Sequence, residues 1–161
     1  MLREGHIGFG FLLGSLVAFA LVSLNVMSLE EFPIFAGLVG VFSFVPDIDI
    51  TFGIGHRGPT HNISFGLICA FIVSVIVYYS YFDLYLTVLT FVAGFFAILS
   101  HLIADLFTHN KFKIFYPFSD KRYGGLGIDA DSKVANRTLL LIGVVAYVFL
   151  YLFLSGELTI T

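Results

Sequence analysis

The sequence predicts an all-α, polytopic integral membrane protein: a helix bundle of about five membrane segments, N-terminus cytoplasmic, C-terminus outside. Three observations carry this. Of 161 residues, 58% are hydrophobic and only 12% charged, whereas a soluble domain carries about half apolar and about a quarter charged residues. The apolar excess is gathered into five runs, at 7–27, 32–45, 63–82, 84–107 and 138–154. All eight Lys and Arg residues fall before the first run, between the second and third, or between the fourth and fifth. Such one-sided basic gaps mark the cytoplasmic face.

The first run follows Arg3 and mimics a signal peptide. It is longer than the ~7–15 apolar residues of one and no small-x-small cleavage site follows, so it reads as a retained span. The second run is short: its fourteen residues cover about 21 Å at 1.5 Å per residue. It either recruits Leu29–Glu31 or is re-entrant, and the alternation of charge requires that it cross. The other three runs reach or approach the roughly 17–25 residues a crossing needs. Residues 1–161 form a single membrane domain without internal repeats, interrupted by a long cytoplasmic interfacial loop at 108–137. There Phe112, Phe115, Tyr116, Phe118 and Tyr123 interleave with Lys111, Lys113, Lys121 and Arg122. That pattern suits anionic headgroups, as an anchor or a lid.

Three stripes of four-residue spacing forecast the helix seams: His6, Gly10, Gly14, Ala18; Asn62, Gly66, Ala70, Ser74; and Ala93, Ala97, His101, Asp105, His109. Small residues let helix backbones approach closely in lipid. Each stripe ends in polar or ionisable side chains on the basic side. The net charge of -3 carries no nucleic-acid footprint, and the single Cys69 excludes a disulfide framework.

The reactive side chains gather at the same level. Glu4-Gly5-His6, Pro46-Asp47-Ile48-Asp49, His56-Arg57-Gly58-Pro59-Thr60-His61 and His101-Leu102-Ile103-Ala104-Asp105 all lie at the basic ends of the runs. His101 and Asp105, four apart, share a helix face, and ionisable groups at membrane depth mark cavities or sites. Asp47 and Asp49 either wrap a cation or cap a turn. His56 and His61 bracket a Gly-Pro turn that either aims both rings at one point or leaves them incidental. Taken together, His6, Asp47, Asp49, His56, His61, His101 and Asp105 are seven N/O donors from four chain segments. Imidazole and carboxylate suit zinc, manganese or iron, and one or two divalent ions would use them. Arg57, the one basic residue within the cluster, is a candidate phosphate ligand. His109 is a candidate extra ligand.

These motifs, with Ser100-His101 and Tyr116-Pro117-Phe118, stand in the order found in a bacterial and archaeal family that the chain resembles from residue 4 to about 119. It is the family of LexA-binding, inner-membrane-associated metal-dependent hydrolases. Asn62 replaces a frequent Ser, His109 a frequent Pro, and the stretch from Asp49 to His56 is short. No residue here is assignable to LexA binding. The resemblance implies an inner-membrane protein with a metal cluster and hydrolytic activity.

The preferred reading is a membrane-embedded metallohydrolase using zinc or manganese, its site facing the cytoplasm. Asp49, His101 and Asp105 would be catalytic, and Arg57 would hold the phosphate of a lipid-like ester. Membrane lipids are the expected partners and nucleic acid is not. Two other classes use the same residues: a non-catalytic scaffold stabilised by its metal, and a metal transporter. A transporter places ligands near the midplane with a path through both halves, but here the other half of the bundle holds no His, Lys or Arg.

Overall fold

The computed structural model describes residues 1–51, 53 and 58–158. Its α-helices are α1 (Arg3–Ser23), α2 (Phe32–Phe42), α3 (Ile48–Thr51), α4 (Ile63–Tyr81), α5 (Leu84–Leu106) and α6 (Lys133–Leu154). Among the described residues, five segments are long and apolar enough to cross a membrane: α1, Leu29–Ile50, α4, α5 and α6. Among the described residues there is no strand, only isolated bridges pairing Thr108 with Ile128 and Phe112 with Tyr123. The all-helical membrane fold read from the sequence stands.

The short second run becomes a span by adding both flanks. A 3₁₀ turn, Leu29–Glu31, precedes α2, and a second, Val45–Asp47, leads into α3. The entry is a capping box, in which Glu31 Oε2 accepts from Ser28 N at 2.8 Å and from Ser28 Oγ at 2.8 Å. Two other helices begin earlier than their apolar runs. α1 starts at Arg3, with Glu4 in its first turn where the helix dipole favours an acid. α6 starts at Lys133, because Ser132 Oγ accepts from Ala135 N and caps it.

α1 is the central element and packs on α2, α5 and α6, while α5 also holds α2 and α4. The seams are those the stripes forecast. Gly10, Gly14 and Ala18 of α1, Gly66, Ala70 and Ser74 of α4, and Ala93, Ala97, His101 and Asp105 of α5 are all buried. A Cβ on Gly14 would lie 2.7 Å from Val39 Cβ, so α1 meets α2 with no room for a side chain between them. Large apolar residues such as Phe71, Ile72, Ile76, Leu141 and Val145 face outward, as lipid-facing positions do.

The segment between α5 and α6 does not lie wholly on the surface. Phe112 and Ile114 fold back and join Ile98 and Leu102 in a buried cluster. Ile63 N donates to Ile114 O at 2.9 Å, tying this segment to the start of α4. Phe115, Tyr116 and Phe118 stay exposed, so the aromatic-basic pattern divides into an inner and an outer set. On the outer set the Lys113 ammonium beside Asp120 holds its carboxyl below the usual carboxylate range.

Candidate functional site

Four stretches of chain deliver the cluster to one end of the bundle. His6 comes from the first turns of α1. Asp47 closes the 3₁₀ turn in which Pro46 costs no backbone bond, and Asp49 follows in α3. His61 stands just ahead of α4. Its place is set by Asn62, whose Oδ1 accepts from Phe65 N at 2.8 Å while its Nδ2 donates to Pro59 O at 2.6 Å. Asn62, one of the residues at which the sequence departs from the family it resembles, is therefore the N-cap of α4. His101 and Asp105 come from one face of α5, as the i, i+4 spacing requires.

The donors converge closely. His61 Nε2 lies 3.1 Å from His101 Nε2, 3.4 Å from Asp47 Oδ1 and 3.7 Å from Asp105 Oδ2. His101 Nε2 lies 3.6 Å from Asp47 Oδ1 and 3.8 Å from Asp105 Oδ2. These are five of the six edges of a tetrahedron. A regular tetrahedron with edges of about 3.5 Å has its centre about 2.1 Å from each corner, which is the bond length of zinc to imidazole and carboxylate. The donor set fits a divalent ion. His6 Nε2 faces the other oxygens of the same carboxylates, Asp47 Oδ2 at 3.7 Å and Asp105 Oδ1 at 3.6 Å. Asp105 Oδ1 also accepts from the Met1 amino group at 2.8 Å.

Neighbours fix the ring orientations. His101 Nδ1 is 2.8 Å from Ser43 O. A carbonyl only accepts, so Nδ1 carries the proton and the Nε2 lone pair faces the cluster. Thr60 Oγ1 donates to Asp49 Oδ2 at 2.8 Å and lies 2.9 Å from His61 Nδ1, itself 3.3 Å from Asp49 Oδ2. His61 Nδ1 is thereby the donor, and its Nε2 is likewise left to ligate. Through these contacts Asp49 orients His61 from behind. Thr60→Val keeps the shape and removes the hydroxyl. Metal affinity is expected to fall about 10–100-fold, read by competition with a chromophoric chelator; unchanged affinity would deny Thr60 this role.

His6, Asp49, His61, His101 and Asp105 are fully buried; Asp47, its side chain 17% exposed, is the most exposed of the three cluster acids. Such a concentration of buried titratable groups is costly without a compensating cation, and an ion would supply one. Of the other expected site residues, His56 and Arg57 lie outside the described residues. His109 is not part of the cluster; its ring is exposed and pairs with Asp129 at 3.1 Å. Three supporting groups were not singled out from sequence: the Ser43 carbonyl, the Thr60 hydroxyl and Asn136. Asn136 Oδ1 accepts from Leu2 N at 3.0 Å and so anchors the start of α1 beneath His6. Thr60 and Asn136 had a signal, a polar residue next to a candidate ligand or at the edge of a span. A backbone carbonyl has none.

A family model described as YdjM inner membrane protein matches residues 1–158. The chain belongs to the YdjM inner membrane protein family and is a multi-pass membrane protein. No curated protein and no solved structure matches it significantly. The family match agrees with the inner-membrane half of the resemblance and brings no activity with it.

Proposed function

We propose that this member of the YdjM inner membrane protein family is a metal-dependent hydrolase acting on a phosphate ester of a lipid-like substrate at the cytoplasmic interface. The supporting observation is the convergence of His61, His101, Asp47 and Asp105 at the edge lengths of a tetrahedral metal site. A zinc or manganese ion there would supply Lewis-acid polarisation and an activated water. The protein's own part is orientation: Ser43 and Thr60 with Asp49 set the two imidazoles, and the buried walls exclude bulk water. Arg57, outside the described residues, is assigned the substrate phosphate.

The lipid-like substrate is supported by a cavity of about 360 Å³ between α2, α4 and α5, within the size range of ligand pockets. Its lining includes Leu38, Phe42, Val73 and Val77, and it reaches Val45 and Ile98. Val45 is two residues from Asp47, and Ile98 is one helical turn from His101. A hydrocarbon chain in this cavity would bring its polar end to the level of the cluster. The one-sided basic gaps support a cytoplasmic setting for that level.

The test is hydrolysis of phospholipid and isoprenoid-phosphate esters by the detergent-purified protein, with and without chelator. Turnover should be lost with chelator and return with added zinc or manganese. No turnover of any such ester by metal-loaded protein would count against the hydrolase.

One observation favours a second reading. Five of the described donors are fully buried, which suits a metal that only locks the helices. In that scaffold, metal removal lowers the unfolding temperature but no substrate is consumed. Water relaxation on the manganese-loaded protein discriminates, since only an open coordination position exchanges solvent.

A further inference from the structure

We infer that the cluster is built for two ions, with Asp47 and Asp105 each giving one oxygen to each ion. This rests on the metal-hydrolase reading and sets the number of metals in it. The ring planes carry the argument. An imidazole's lone pair lies in its ring plane, so two rings ligate one ion only when their planes cross near it.

His61 and His101 satisfy that condition: their planes stand at 70° and their Nε2 atoms are 3.1 Å apart. His6 and His101 do not. They are stacked, with centroids 3.7 Å apart and planes only 12° from parallel. Planes so nearly parallel do not meet within a metal–nitrogen bond of about 2.0–2.1 Å. His6 therefore needs an ion other than the one His101 shares with His61.

The carboxylates divide in the same way. Asp47 turns Oδ1 to His61 and His101, at 3.4 and 3.6 Å, and Oδ2 to His6 at 3.7 Å. Asp105 turns Oδ2 to His61 and His101, at 3.7 and 3.8 Å, and Oδ1 to His6 at 3.6 Å. Both acids show one oxygen to each half. Two-metal hydrolytic centres, with ions roughly 3.5–4 Å apart, clamp the attacking and leaving oxygens of a phosphate ester, and carboxylates divided in this way suit that chemistry. Among the described residues, the His61–His101 half has four protein donors and the His6 half three.

The experiment is metal stoichiometry by elemental analysis after reconstitution with manganese, together with electron paramagnetic resonance of the same samples. The unaltered protein should hold two ions per chain and show an exchange-coupled spectrum, which needs no variant. His6→Phe keeps the ring stacked on His101 but removes its nitrogens; it should hold one ion and give an isolated-ion spectrum. One uncoupled ion in both proteins would overturn the pair, leaving the Met1 amino group as the cation at Asp105 Oδ1, while a mononuclear hydrolase stands. No ion in either folded protein would remove both the pair and the metal reading.

Discussion

Asp105→Ala is expected to abolish metal binding at the proposed centre, with affinity lowered by more than about 100-fold. The magnitude follows from position. Removing a group that merely orients a ligand costs about 10–100-fold, and Asp105 faces all three described cluster imidazoles, at 3.6 Å from His6, 3.7 Å from His61 and 3.8 Å from His101. Its loss removes one donor from each half of the site. Asp105→Asn keeps the size of the side chain and removes its negative charge, and should lose metal as well. Metal per chain by elemental analysis, with size-exclusion profiles in detergent as the folding control, reads the result. If Asp105→Ala binds metal as the unaltered chain does, the centre assigned here is wrong.

Much of this site is legible in the sequence. The positive-inside pattern gathered every ionisable motif at one end, and the i, i+4 pair of His101 and Asp105 needed only a helix. The seams were legible because close approach in lipid demands small residues at fixed spacing, as in Gly10, Gly14 and Ala18. Helix starts were not. Lys133, Asn136 and Arg137 interrupt hydropathy, so the apolar run begins five residues after the helix that Ser132 caps. Nor was the inward turn of Phe112 and Ile114 legible, since an aromatic-basic pattern is the same whether a ring meets headgroups or a core. The division of labour between Asp47 and Asp49 depends on which side of one imidazole each reaches, and alternate positions in a loop do not encode that.

The other large effect lies away from the donors, at the crossing of α1 and α6. A Cβ on Gly143 would sit 2.0 Å from Gly8 O, and one on Gly8 would sit 2.4 Å from the backbone of Leu140. The obstacle on each side is backbone, so no rotamer change relieves it and the helices must separate. Overpacking ordinarily costs about 1–3 kcal/mol and occasionally more; with backbone as the obstacle, Gly143→Val should cost at least the upper end. The damage should reach the site as well. α6 carries Asn136, whose Oδ1 holds Leu2 N at 3.0 Å, and Leu2 begins the helix that presents His6. Gly143→Val is therefore expected to lower both the unfolding temperature in detergent and the metal content, although residue 143 touches no donor. Gly37→Ala is the matched control, because a Cβ there meets nothing within 4 Å; Ala in place of a mid-helix Gly gains roughly 0.5–1 kcal/mol. Equal unfolding temperatures for Gly143→Val and the unaltered chain would mean that α1 and α6 do not meet at this crossing. The seam would then have no part in holding the start of α1 under the cluster.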